Sequence, residues 1–276
     1  MTNKLLLVLL LTLITNSYSF TSEVKEIKKE LVSKFSLPSD KNSLISAKVL
    51  LNSNKYALGD WWKSKFGEND SVKYLDFHGI HEHNIRPAGM QALGLAVSLI
   101  TKVYDEKVVA KNISEAQNKT IHLISSLAYK HRVNLDQGWG NEWQSALWAH
   151  YVAFAAWLLW DKFDLTQKEH LEKMIVYESN RFLNYTVPYY QNRDGKVVFP
   201  GDTKAEENSW NSGILQMATA MMPSHQNHKQ WMNKNIELLI SSYVRPSDLQ
   251  SNQTINGKPV NNFHFNQMQI LLTFNI

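Results

Sequence analysis

The segment 146–160 constrains the fold more than any other part of the chain. Its only polar side chains are His150 and Tyr151. A helix that is apolar on every side has to be buried on every side. Its roughly fifteen residues fall short of the ~20 that a bilayer-spanning helix needs. The segment is therefore expected to be an inner helix of a domain with more than one helical layer. The chain can supply such a core, with 276 residues, 43% of them hydrophobic, and 9 tryptophans.

The same design occurs three times. A polar start runs into an apolar, alanine-containing helix, and a more amphipathic helix follows. The first unit opens with His81, Glu82, His83, Asn84, Ile85, Arg86 and Pro87, continues as an inner helix over 84–104, and is followed by an outer helix over 113–131. The second opens at Trp139 to Gln144, with an inner helix over 141–163 and an outer one over 167–185. The third opens at Asp202 to Asn208, with helices over 204–222 and 226–244. The starts recur roughly every 60 residues and do not resemble one another, whereas common helical solenoids repeat every 33 to 47 residues or so. This favours an all-α fold, an incomplete α/α toroid of helical hairpins in which inner and outer helices alternate. On the outer helix of the second unit, Glu169, Glu172 and Lys173 are expected to face water, while Leu171, Met174 and Ile175 pack.

Upstream, Val24, Ile27, Leu31 and Phe35 fall at helical spacing, and Asp40 is placed to cap a helix through Leu51. The pattern breaks between Asn52 and Ile80, which reads as ordered loop. The only strand-like stretch is Lys196 to Phe199, half of a short hairpin. At the N-terminus, Lys4 precedes the apolar run Leu5 to Ile14, and small residues follow at Ser17 and Ser19. This reads as a signal peptide over 1–19 with cleavage after Ser19, leaving a secreted or periplasmic domain over 20–276 without a stable membrane span.

Several chemistries are excluded. There is no cysteine, hence no disulfide, zinc thiolate, iron–sulfur cluster or cysteine nucleophile. There is no Gly-rich phosphate loop and no G-x-S-x-G elbow. The formal charge of +4 is spread along the chain and forms no basic stripe, so nucleic acid is not an expected partner. His81 and His83 have no third ligand at a recognisable spacing, so no metal and no other cofactor is expected.

In a ring of hairpins the polar starts of the inner helices gather at one mouth. Candidate residues there are His81, Glu82, His83, Asn84 and Arg86; Asn141, Trp143 and Gln144; and Asp202, Glu206, Glu207, Asn208, Trp210 and Asn211. Free N–H groups at helix N-termini suit an anionic ligand. Capping competes with this reading: Thr203 with Glu206, and Asn141 with Gln144, match capping-box spacing. Capping does not account for Asn208 and Asn211, two amides on one helix face. His150 reads as a satisfied core histidine.

The strings HEHNIRPAGMQALGLAVSL (81–99), WGNEWQSALWAHYVAFAAWLLWD (139–161) and GDTKAEENSWNSGILQMATAMMP (201–223), continued by MNKNIELLISSYVRPSDL (232–249), resemble the N-terminal α/α-toroid domain of heparinase II/III-like polysaccharide lyases. The resemblance covers roughly residues 75 to 260. It implies β-elimination on a uronate-containing acidic polysaccharide or oligosaccharide. The uronate neutraliser would be Asn208, protonated Glu207 or Arg86. The base or acid would be His81 or His83. Asn141, Gln144, Trp143 and Trp210 would hold sugar rings. A glycoside hydrolase on a six-hairpin scaffold, using Glu82 with Asp202 or Glu207, and a non-enzymatic glycan-binding module are the alternatives.

Chains of that family continue past the position of Val260 with a further His- and Tyr-bearing segment, more helices and a β-sandwich. The present sequence reads as C-terminally truncated, with Tyr189 and Tyr190 as the only local substitutes for a catalytic tyrosine. An open ring is expected to leave apolar surface exposed around Trp148, Trp157 and Met217, and to favour glycan binding over turnover.

Overall fold

The computed structural model describes residues 20–27, 40–67, 71–187, 190–191, 196–199, 205–242, 250 and 252–260. The expected signal peptide, Asp202, Thr203, Lys204 and Tyr189 lie outside the described residues. The described residues are mostly helical, with very little strand. In chain order it contains α1 (Lys41–Tyr56), a π-turn (Ala57–Trp61) leading into α2 (Trp62–Phe66), α3 (Glu82–Ile100), α4 (Glu106–Val109), α5 (Ile113–Tyr129), α6 (Ser145–Leu158), a 3-10 turn (Trp160–Lys162) and α7 (Leu165–Asn180). Then come strands β1 (Tyr190–Gln191) and β2 (Val197–Phe199), helices α8 (Ala205–Met221) and α9 (His228–Ser242), and strands β3 (Thr254–Ile255) and β4 (Lys258–Pro259). Each strand pair is a small antiparallel hairpin.

The three inner helices are α3, α6 and α8, packed side by side with α6 in the middle. Helix α5 packs on α3, α7 lies against α5, α6 and α8, and α9 pairs with α8. The all-α reading therefore holds, with α6 enclosed by its helical neighbours. Every residue from Ala146 to Trp160 is buried or half-buried. Burying each large apolar side chain contributes about 1.5–3 kcal/mol, so α6 anchors the core. Close approach of α6 and α8 depends on Gly213: a Cβ there would lie 2.5 Å from His150 Nδ1. The His150 ring, stacked over Tyr151 and Phe154, fills the space that a side chain at 213 would need.

Several expectations are corrected. The first two inner helices run over 82–100 and 145–158 rather than 84–104 and 141–163, and the third, described from Ala205, ends at Met221 rather than at 222. Pro87 sits inside α3. The stretch after Asn52 stays helical through Phe66, with a backbone break at Gly59 (φ −103°, ψ −105°). The helix expected from Glu23 does not form over the described residues 20–27, which run as a strap without regular secondary structure. Lys25 N–H donates to Met221 O at 2.7 Å, and Trp157 Nε1 donates to Lys25 O at 2.9 Å. The strap partly covers Trp157, while Trp148 and Met217 are buried, so the expected exposed patch is not present at these residues. Glu172, expected on the wet face of α7, is buried as well. The strap crosses α7 there, and Ser22 Oγ and Glu23 N–H both donate to its carboxylate.

Candidate functional site

The polar starts of the inner helices meet at one end of the helical layer. His81 is the N-cap of α3 and Gln144 that of α6. Arg86, one turn into α3, donates through Nη1 to Glu82 Oε1 at 2.6 Å and to Gln144 Oε1 at 3.4 Å. Both contacts use one nitrogen, so the Nη2 edge of the fork has no hydrogen-bond partner among the described residues. His81 Nδ1 lies 3.7 Å from Glu142 Oε1. Trp143, 60% exposed, meets Trp210 of α8 edge-on, with ring centroids 5.2 Å apart. These contacts bring the first, second and third segments together. His81 and His83 are exposed, their rings 6.4 Å apart.

Other candidates are placed less openly. Asn84 is buried, and its Nδ2 donates to Phe77 O at 3.0 Å and His78 O at 3.2 Å. Its amide ties down the loop before α3. Asn208 and Asn211 are buried in α8, while Glu206 is exposed and Glu207 half-buried. The capping box expected of Asn141 and Gln144 does not form, since α6 has no side-chain cap. Asn141 adopts φ 61°, and its Oδ1 accepts from Tyr177 Oη at 3.1 Å. Tyr177 belongs to α7, so a tertiary contact takes the place of the local cap.

Directly beneath the second segment lies a buried polar cluster that sequence reasoning missed. Glu178 of α7 and His131 are both fully buried. His131 Nδ1 accepts from Val133 N–H at 3.3 Å, which places the ring proton on Nε2, 3.0 Å from Glu178 Oε1. Ser145 Oγ lies 3.1 and 3.0 Å from the two carboxylate oxygens. Arg181 Nη1 donates to Glu178 and to Ser145 Oγ, and its Nη2 reaches Glu142 O at 3.5 Å. Burial pushes the Glu178 carboxyl up. The bond from His131 and the charge of Arg181 outweigh this and hold it below its usual range. The serine bonds the carboxylate rather than the imidazole, so this is not a nucleophilic triad. Its effect is to hold the 139–145 turn. Gly140 (φ 130°) is required in that turn, because a Cβ would lie 2.7 Å from His131 Nε2. The sequence signal was present only as a Glu178–Arg181 spacing of i, i+3 on an outer helix, where it reads as an ordinary surface pair.

Tyr185, just after α7, is half-buried. Burial, and secondly the charge of Glu207, push its hydroxyl up to about 12, so it stays protonated at neutral pH. His150 is shifted down by burial, in keeping with its packed position between helices. Among the described residues, no group of three His, Asp or Glu side chains is arranged to hold a metal ion, and no helix is long and apolar enough to cross a membrane. No family model, no curated protein and no solved structure matches the chain.

Proposed function

We propose that this chain is a polysaccharide-lyase-like protein that acts on a uronate-containing glycan by β-elimination at the N-terminal ends of α3, α6 and α8. The observation that carries the reading is the meeting of Arg86, His81, Glu142, Gln144 and the Trp143–Trp210 pair at one place. Arg86 offers its Nη2 edge to a sugar carboxylate. Neutralising that carboxylate makes the C5 proton more acidic. His81 or His83, both exposed, removes the C5 proton. The C5–H electron pair forms the C4–C5 double bond, and the O4 glycosidic bond breaks as an acid protonates the leaving oxygen. The exposed face of Trp143 offers a stacking surface for a sugar ring. Arg181 and Glu178 act through the turn they hold, so they are positioning residues.

The test is incubation of the full chain with polygalacturonate, alginate, heparin and hyaluronan. The expected product absorbs in the ultraviolet through its unsaturated uronate, and Arg86→Ala abolishes it. New reducing ends without that absorbance would assign the site to hydrolysis. Binding without any product would make the chain a glycan-binding module.

A further inference from the structure

A separate cleft of about 750 Å³ lies between α9, residues 183–186 and the β3–β4 hairpin. That volume is within the roughly 300–1,000 Å³ usual for small-ligand sites. We infer that this cleft is a second carbohydrate site, for a neutral oligosaccharide, built from primary amides of three separate elements. Asn184 comes from the segment after α7, Gln230 and Asn233 from α9, and Gln253 from the approach to the hairpin. All four are exposed. A primary amide presents two N–H donors beside a carbonyl acceptor, which complements sugar hydroxyls that both donate and accept.

The charge pattern selects against an acidic ligand. Among the described residues, the only ionised pair lining the cleft is Lys234 with Glu237, each 14% exposed. They bond to each other, so the ammonium and carboxylate cancel. Lys234 Nζ also donates to Tyr185 O at 2.7 Å, and Glu237 Oε1 accepts from Asn256 N–H. Among the described lining residues a uronate would find no uncompensated cation and would meet Glu237, whereas a neutral sugar meets a surface of alternating donors and acceptors.

The walls are held in place before any ligand arrives. The hairpin turns at Asn256 and Gly257, with φ 52° and 72°. The Asn256 side chain pairs with both backbone groups of Val187, each at 2.9 Å. Ile255 and Val260 are buried beneath the hairpin. The backbone of the cleft is therefore ordered in advance, and the cost of binding falls on the exposed amide side chains. Tyr185 lines the cleft and interacts electrostatically with Glu207 of α8. The neutral-sugar cleft therefore neighbours one of the mouth candidates, although the inference does not depend on lyase activity.

The test is calorimetric titration of the full chain with cellohexaose, mannohexaose and maltohexaose, and with tetragalacturonate as the acidic comparison. At least one neutral sugar should bind with Kd on the order of 0.1–1 mM. The double variant Gln230→Ala/Asn233→Ala should weaken that binding at least about ten-fold, and Asn184→Ala should weaken it in the same direction. Both alter exposed side chains, so the unfolding midpoint should not move. Arg86→Ala should leave neutral-sugar binding unchanged. Absence of heat from all three neutral sugars at about 5 mM would overturn the inference. So would neutral binding that survives the double variant, or a double variant that removes tetragalacturonate binding instead. Failure of the lyase reading would appear separately, as acidic glycan left uncleaved and unaffected by Arg86→Ala.

Discussion

Replacing Glu178 by glutamine tests whether the buried cluster organises the second segment. The substitution keeps size and removes charge. In the native protein His131, Ser145 and Arg181 all bond the Glu178 carboxylate. A glutamine amide sets an N–H₂ group against at least one of these donors and leaves Arg181 without its counter-charge. Breaking a buried ion pair by removing one partner costs about 3–5 kcal/mol. Arg181 is 26% exposed, so water recovers part of that, and the expected loss is about 3 kcal/mol. For a domain of this size that lowers Tm by roughly 6–12 °C. Urea unfolding followed by circular dichroism measures it. The pH dependence has a definite sign. The carboxyl is held below its usual value of 4.5, so its contribution is present above pH 4.5 and is lost as pH falls through the folded value. The gap between wild type and variant should narrow below that pH. A loss under about 1 kcal/mol at pH 7, or a gap that widens on acidification, would show that the cluster does not hold the turn.

Glu172 should behave in the opposite way. Burial raises its carboxyl against the bonds from Ser22 and Glu23, so the stability it contributes at low pH is lost as pH rises from 4.5 through the raised value. Glu172→Gln should therefore gain on wild type between pH 4.5 and 7.5 in thermal melts, and a loss over that range would contradict the burial argument. Gly213→Ala should destabilise by about 1–2 kcal/mol despite better helix propensity, because the new methyl meets the His150 ring. Adding His150→Ala should recover part of the loss in urea unfolding, and strict additivity would remove the steric explanation. Trp143→Ala should change stability by less than about 0.5 kcal/mol. It should weaken binding of an acidic polysaccharide about ten-fold in affinity electrophoresis, with unchanged affinity counting against the stacking role.

Local composition already contained the inner layer. An apolar run such as 146–160 has no wet face to offer, so its burial follows from its residues alone. The cap at Asp40, which accepts from Asn42 and Ser43 N–H at 3.0 Å each, and the strand Val197–Phe199 were legible for the same reason, since each depends on neighbours a few residues away. The three polar starts were legible as well, because parallel inner helices bring like ends together. Tertiary structure decided the pairings and the outer face. An amphipathic pattern assigns Glu172 to water, and gives no reason to bury Glu178, because it sees only its own helix. The strap that covers Glu172 comes from Ser22, 150 residues earlier, and the histidine that bonds Glu178 comes from 47 residues before it. Asn141 shows the same limit in reverse: its spacing from Gln144 fits a cap, yet Tyr177 reaches it from another helix and takes its oxygen. The amide-lined cleft belongs to the same class. Asn184, Asn233 and Gln253 are unremarkable surface residues in the sequence, and become a site only because α9 and a two-stranded hairpin fold against the end of α7.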